Sequence, residues 1–222
     1  MPDLSANDRG YVRKRESTQL EFKQSFQPGS IRSYARTMAG MANNHGGEIV
    51  FGVKDTPRIP IGLQNEKFEN FDPRKINQVL LEHFSGDVDW EIKTHSQHGL
   101  IFGVIAVSEA SEKPVICTRS HSESKLREGG IYFRYRGETR EIRFSELRDI
   151  LTAERDKEKR LWMDHIQTIA QVGPQYVQIV DALRGEMTVG DTQVIIDEAL
   201  VKKLNVYKWT PTNCLARNYQ RI

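Results

Sequence analysis

The sequence is poor in the features that mark membrane-spanning, secreted and zinc-binding proteins. Its 222 residues include only two cysteines, Cys117 and Cys214, which are far apart and fit no metal-ligand spacing, so reduced thiols are expected. No stretch approaches the ~18 apolar residues that a membrane helix needs. The start, MPDLSANDRG, lacks the apolar core of a signal peptide. These absences predict a cytoplasmic protein.

The sequence also lacks a large excess of charge of either sign, since its formal net charge is only +2. Hydrophobic content of 38% and charged content of 28% favour a globular chain over a disordered one. The charges are distributed unevenly, because residues 113–148 contain nine Lys or Arg against five Glu. A basic excess with interleaved aromatic residues suits a polyanionic partner, and it equally suits a solvated, arginine-rich hairpin.

Hydrophobic spacing predicts an α+β fold with a mixed β-sheet and flanking helices. Ser30 is a candidate N-cap for the first helix, the glycines of NNHGG are candidates for the turn that follows it, and Ser145 is a candidate N-cap for a long helix. In chain order, the predicted elements are a strand at 20–23, a helix from 31 to 42, a strand at 48–53, a helix at 73–84, a hairpin over 89–107, a strand at 131–137 and a helix at 146–170.

Three segments are predicted along the chain. Residues 1–14 look like a flexible lead, residues 15–152 form the main domain, and residues 153–222 contain the long helix and a small C-terminal helical appendage. The appendage suits either a minor structural element or a contact between copies of the chain.

Three motifs occur together and carry a family resemblance. They are ESTQLEFK at Glu16–Lys23, MANNHGG at Met41–Gly47 followed by the strand that closes in GVKD at Gly52–Asp55, and the basic run GGIYFRYRGETREI at Gly129–Ile142. This combination resembles the Schlafen AlbA_2 domain over about residues 14–152. The resemblance implies a nucleic-acid-binding domain whose relatives include metal-dependent endoribonucleases of tRNA and rRNA. Other relatives are labelled transcriptional regulators or ATP-binding proteins.

The resemblance also implies a set of acidic residues. The three acids of the nuclease relatives carry over to Glu16, Glu21 and Asp55, which would hold Mg²⁺ or Mn²⁺. Hard cations prefer such oxygen ligands and stabilise the charge that develops on an attacked phosphodiester. Lys23, two residues after Glu21, would hold a phosphate or orient water. The expected catalytic set is therefore Glu16, Glu21, Lys23 and Asp55.

Plain structural roles compete with these assignments. Glu16 and Glu21 suit a solvated strand face with Lys23 as a charge partner, and Asp55 suits turn initiation before Thr56-Pro57. Asn43 either caps the first helix or points its amide into a site, and the glycines that follow suit a turn better than a phosphate cradle. The six histidines show no zinc-ligand spacing, and no P-loop motif is present.

The basic run near residues 132–143 is the predicted nucleic-acid-binding element. Arginine binds phosphate in a bidentate manner, and tyrosine stacks on exposed bases. The expected binding residues are Lys125, Arg127, Tyr132, Arg134, Arg136, Arg140 and Arg143.

The leading hypothesis is a Schlafen-like endoribonuclease that cleaves structured RNA such as tRNA. The alternative is a non-catalytic regulator that binds DNA or RNA. A third hypothesis is an interaction module that assembles through its tail. Many Schlafen cores clamp RNA between two lobes, so a homodimer would supply the second lobe.

Overall fold

The computed structural model describes residues 3–55 and 57–172, together with three short strands between residues 180 and 195. The chain divides into two compact units, Met1–Asp156 and Lys157–Ile222. In chain order, the elements of the first unit are β1 (Leu20–Lys23), α1 (Ile31–Ala42), β2 (Gly47–Phe51), β3 (Val53–Lys54), β4 (Ile59–Pro60), α2 (Arg74–His83), β5 (Trp90–Gln97), β6 (Leu100–Val107), β7 (Tyr132–Tyr135), β8 (Glu138–Glu141) and the first part of α3 (Phe144–Val172).

A four-stranded mixed sheet in the order β1-β2-β6-β5 forms the centre of this unit. β1 runs parallel to β2, with Glu21 opposite Ile49, and the other two pairs are antiparallel. Two further hairpins, β3–β4 and β7–β8, lie outside the sheet. The predicted α+β class with a mixed sheet is confirmed, and so is the pairing of the two strands on which the acidic motif depends.

The two faces of the sheet are covered by different parts of the chain. Alternate sheet residues such as Ile49 and Phe51 share one buried cluster with the apolar faces of α1 and α2. The other face of the sheet packs against Leu4 and Val12, which are 2% and 1% exposed. The prediction of a flexible lead over residues 1–14 is therefore wrong for its described part, because burying these two side chains stabilises the segment against the sheet.

Helix α1 has a glycine, Gly40, at the position where it packs against the β7–β8 hairpin. A Cβ at Gly40 would lie 2.7 Å from Cγ2 of Thr139 and 3.3 Å from the backbone nitrogen of Arg134. The β7–β8 hairpin therefore packs directly on the helix backbone at this position. After the helix, Gly46 has φ +69°, which confirms the turn role predicted for this glycine.

The second unit contains the last part of α3 and a three-stranded antiparallel sheet. Its strands are β9 (Val180–Asp181), β10 (Glu186–Val189) and β11 (Thr192–Ile195), in the order β11-β10-β9. The long C-terminal helix is confirmed. The appendage that follows it contains strands at 180–195 where a helical appendage is predicted, and Cys214 lies outside the described residues.

Cys117 belongs to the buried core of the first unit, and burial raises the pKa of its thiol. Within the described residues, no helix has the length and apolar character needed to cross a membrane.

Candidate nucleic-acid interface

Glu21 lies on the inner face of β1. Leu20 and Phe22 pack in the cluster on the opposite face of the sheet, so the alternation of β1 directs Glu21 towards the side that α1 covers. Glu21 is 6% exposed, and its Oε2 lies 2.7 Å from Nη1 of Arg134. Its Oε1 lies 2.5 Å from Nζ of Lys23. The expectation that Glu21 faces solvent is wrong, because α1 and the β7–β8 hairpin cover this face of the strand.

Arg134 is the cation that holds Glu21, and it is only 2% exposed. Its guanidinium also donates to the backbone oxygens of Ser17 and Leu20, each at 3.4 Å. The outer edge of β1 is thus covered by an arginine instead of by another strand, which protects an edge that would otherwise be unpaired. The burial of Arg134 excludes the predicted contact between this side chain and nucleic acid in this conformation.

Glu16 and Asp55 occupy different surroundings. Glu16 folds back on β1, where its Oε1 accepts a hydrogen bond of 2.9 Å from the backbone N–H of Phe22. Asp55 is exposed and follows β3 directly, in the loop that leads to β4. The predicted meeting of three carboxylates is not found, because in the part of the chain that the structure describes no three His, Cys, Asp or Glu side chains form a set that could hold a metal ion.

These contacts also decide whether the implied Mg²⁺ or Mn²⁺ fits the residues. Both oxygens of Glu21 already face cations, and one oxygen of Glu16 is engaged by a backbone N–H. A divalent ion at Glu21 would have to approach two positive side chains, which is electrostatically unfavourable. The three carboxylates, as arranged, do not fit a shared divalent cation.

Asn43 and Asn44 hold the hairpin from the end of α1. The amide nitrogen of Asn43 donates to the backbone oxygens of Val115 and Tyr132, both at 2.9 Å, and its oxygen accepts from the N–H of Val115 at 2.7 Å. Asn44 donates to the backbone oxygen of Arg134 at 2.9 Å. The predicted role of Asn43 at the end of the first helix is confirmed, because Asn43 is the C-cap residue of α1 and its backbone N–H donates to the oxygen of Ala39 at 3.0 Å. Its side chain joins three segments of the chain.

Tyr132 lies on the same inner face of the hairpin as Arg134. Its ring is 1% exposed, and its hydroxyl donates to the backbone oxygen of Lys125 at 2.9 Å and accepts from the N–H of Arg127 at 2.8 Å. Burial raises the pKa of this phenol. The prediction that Tyr132 stacks on a base is wrong, because the ring has no exposed face.

The outer face of the hairpin carries the aromatic ring that the sequence analysis missed. Tyr135 is half-buried, and the guanidinium carbons of Arg140 and Arg143 lie 4.3 Å and 5.3 Å from its ring centroid. Phe133 lies beside it, with 5.2 Å between ring centroids. Together with the exposed Arg136, these residues form what we call the hairpin surface: Phe133, Tyr135, Arg136, Arg140 and Arg143.

The predicted basic residues differ in how strongly other groups engage them. Arg127 forms a bidentate pair with Glu141, with both N···O distances 2.8 Å, and this hydrogen bonding lowers the pKa of Glu141. Arg140 lies 3.3 Å from Glu138. Arg136 and Lys125 are exposed and have no acidic partner within 4.0 Å among the described residues. Accessible positive charge therefore lies at Arg136 in the turn of the hairpin and at Lys125 in the loop before the hairpin.

The Schlafen AlbA_2 family model matches residues 16–143. The chain belongs to the Schlafen AlbA_2 family. The match begins at Glu16 and ends at Arg143, so it includes β1 with its acidic motif, the asparagines after α1 and the complete β7–β8 hairpin.

A protein of Ureaplasma parvum that is described as ATP-binding is 36% identical over 216 residues. The match covers 90% of this chain and 61% of the relative, so the chain spans less than two thirds of that protein. Among solved structures, a Corynebacterium diphtheriae protein is 22% identical with a TM-score of 0.44, covering 66% of this chain and 26% of that one. The N-terminal domain of a RecG-related protein from Nitrosomonas europaea is 21% identical with a TM-score of 0.35, covering 57% and 83%.

Proposed function

We propose that this Schlafen AlbA_2 protein binds nucleic acid through the hairpin surface. The observation that carries the proposal is the half-exposed Tyr135 ring, which has the guanidinium carbons of two arginines within 5.3 Å of its centroid. Arginine planes and tyrosine rings bind phosphates and unstacked bases, the combination that proteins use on single-stranded RNA. Stacking on the ring also restrains the two arginines before a ligand arrives, which lowers the entropy cost of binding.

The substrate class that suits this surface is RNA with accessible unpaired bases, such as the loops of a tRNA. One aromatic ring among arginines favours stacked bases, whereas duplex binding relies on shape and backbone contacts. The membership of the AlbA_2 family supports a nucleic-acid-related role, and the description of the Ureaplasma relative as ATP-binding supports a phosphate-bearing ligand.

A salt titration tests the proposal. The variant Arg136→Gln/Arg143→Gln removes two exposed charges from the hairpin surface, and Lys67→Gln/Lys75→Gln removes two exposed charges from another region. Binding of a fluorescein-labelled single-stranded RNA is measured over a range of salt concentrations. Each lost phosphate contact lowers the slope of log K against log salt by about 0.7 for single strands. We expect the arginine variant to lose about twice that amount and the lysine variant to match wild type. Equal slopes in all three proteins would refute the proposal.

Binding without cleavage, as in a regulator, is the form of the proposal that the Glu21–Arg134 pair favours. The alternative is the metal-dependent endoribonuclease activity that the family resemblance implies. Incubating tRNA with the protein in Mg²⁺, in Mn²⁺ and in EDTA separates the two. We expect intact tRNA in all three conditions. Metal-dependent cleavage by wild type that Glu21→Gln abolishes, while RNA binding persists, would replace the binding role with a catalytic one.

A further inference from the structure

A groove opens at the end of the central sheet where β1 and β2 begin, and none of the residues that line it belongs to the hairpin surface. Its volume is about 530 Å³, compared with about 340 Å³ for a groove beside the start of α3. Small-molecule sites commonly have volumes of about 300–1,000 Å³. The residues that line the larger groove are Lys14, Arg15, Ser17, Gln19, Leu20, Gly47, Glu48, Ala106 and Val107.

The floor of this groove is tightly packed backbone. A Cβ at Gly47 would lie 2.7 Å from the backbone oxygen of Gln19, so only glycine permits this approach of the two chain segments. The N–H of Glu48 donates to the same oxygen at 2.8 Å, and the Gln19 amide donates to the backbone oxygen of His45 at 3.0 Å. The floor is therefore fixed by hydrogen bonds before any ligand enters.

The wall of the groove is fixed from the inside of the protein. Ser17 and Leu20 line the groove, and their backbone oxygens are the acceptors of the buried Arg134 guanidinium. The hydroxyl of Ser17 accepts from the N–H of Gln19 at 3.1 Å. The segment that carries Lys14 and Arg15 is thus attached to an internally supported turn, which limits the positions that the two cations can adopt.

The charge of the groove favours an anion. Lys14 and Arg15 are exposed, and neither has an acidic partner within 4.0 Å among the described residues. An anion binding here would not have to break an existing ion pair, as it would at Arg127. Glu48 contributes one carboxylate to the lining, so the cationic end of the groove is the end near Lys14 and Arg15.

We propose that this groove is a second phosphate-binding site, with Lys14 and Arg15 contacting the phosphate groups. Lysine supplies a compact positive charge and arginine supplies a planar pair of donors, a combination that suits adjacent phosphates. The phosphates belong either to a free nucleoside triphosphate or to a nucleic acid strand. The site is independent of the hairpin surface, so its existence does not rest on the function proposed above.

Two charge-matched variants of the full chain test this site. Lys14→Gln/Arg15→Gln removes the groove cations, whereas Arg9→Gln/Arg13→Gln removes two exposed charges from the same segment that do not line the groove. Binding of tripolyphosphate and ATP is measured by calorimetry, and binding of a short single-stranded RNA by fluorescence anisotropy. Thermal unfolding checks that both variants remain folded.

We expect the groove variant to bind at least one probe about tenfold more weakly than wild type, and the control variant to differ by less than about twofold. Loss confined to RNA identifies a strand as the ligand, and loss with ATP and tripolyphosphate identifies a nucleotide. Equal binding by wild type and the groove variant, equal losses in both variants, or no binding of any probe by wild type would each overturn the proposal. The arginine pair of the hairpin surface reports separately on the proposed function, because it leaves Lys14 and Arg15 intact.

Discussion

The two faces of the β7 strand, Tyr132-Phe133-Arg134-Tyr135, have opposite environments. Tyr132 and Arg134 are 1% and 2% exposed on the inner face, while Phe133 and Tyr135 are partly exposed on the outer face. The hydroxyl of Tyr132 therefore donates to a backbone oxygen, whereas the ring of Tyr135 contacts two arginines. The difference teaches that one face of a basic aromatic strand can be buried in the fold while its other face stays accessible to solvent.

The largest expected effect is the loss of the inner arginine. Arg134→Met leaves Glu21 buried with only Lys23 as a charge partner, and breaking a buried pair in this way costs about 3 kcal/mol of unfolding free energy. Arg136→Met, two residues along the same hairpin, should change stability by less than about 0.5 kcal/mol, since that side chain is exposed. Urea unfolding of both variants measures the comparison, and similar values for the two would contradict a structural role of Arg134.

The asparagine after α1 should have the next largest effect. Asn43→Ala leaves the backbone groups of Val115 and Tyr132 without their partners, which should lower the unfolding free energy by about 2 kcal/mol. Asn77→Ala, on the exposed side of α2, is the control and should stay within about 0.5 kcal/mol of wild type. If Asn43→Ala unfolds at the wild-type urea midpoint, the asparagine is not the link between these segments.

The two tyrosines should separate affinity from stability. Tyr135→Ala removes the stacking ring and should weaken single-stranded RNA binding about tenfold. Tyr132→Phe removes two part-buried hydrogen bonds and should cost about 1 kcal/mol of stability with RNA affinity unchanged. Anisotropy titrations and urea unfolding measure the two quantities. Equal losses of affinity in both variants would show that the inner and outer faces are not separate in function.

The smallest expected effect concerns the loss of stability of the folded state at low pH. Hydrogen bonds from Arg127 and from Lys113 lower the pKa values of Glu141 and Glu109 below their ordinary value of 4.5. Carboxylates with lowered pKa values in the folded state stabilise it above pH 4.5, and this stabilisation is lost as the pH falls through the folded-state values. Thermal unfolding below pH 4.5 should therefore show a slightly smaller acid-dependent loss for Glu141→Gln than for wild type. An identical pH dependence would argue that the Arg127–Glu141 pair is too solvated to contribute.

The sequence predicts the alternation of the strands and fails on which face is inside. Period-two spacing places Glu21 and Leu20 on opposite faces of β1, and Tyr132 and Phe133 on opposite faces of β7, as the structure has them. The inner face is set by α1 and by the β7–β8 hairpin. Arg134 of the hairpin contacts the backbone of Ser17 and Leu20 across more than a hundred residues of sequence, and no local pattern contains that contact. Gly40 was the available signal, because a glycine within a helix often marks the close approach of another backbone.

The acidic motif shows the same limit. Glu16 returns to β1 as its position before the strand suggests, and β1 and β2 pair as expected. The partner of Glu21 is Arg134, which the basic run of the sequence predicts to bind nucleic acid. The prediction fails because charge alone does not distinguish a buried arginine from an exposed one. Leu4 and Val12 were equally inconspicuous, because isolated apolar residues in a polar segment carry no periodicity.

Photo-cross-linking tests the central claim most directly, namely that nucleic acid lies on the outer face of the hairpin. p-Azidophenylalanine is introduced in place of Tyr135 and, as the control, in place of Phe71, a half-buried aromatic residue that belongs to neither the hairpin surface nor the groove. After irradiation with labelled single-stranded RNA, the account predicts a covalent protein–RNA product at position 135 and none at position 71. Equal products at both positions, or a product at position 71 alone, would contradict it.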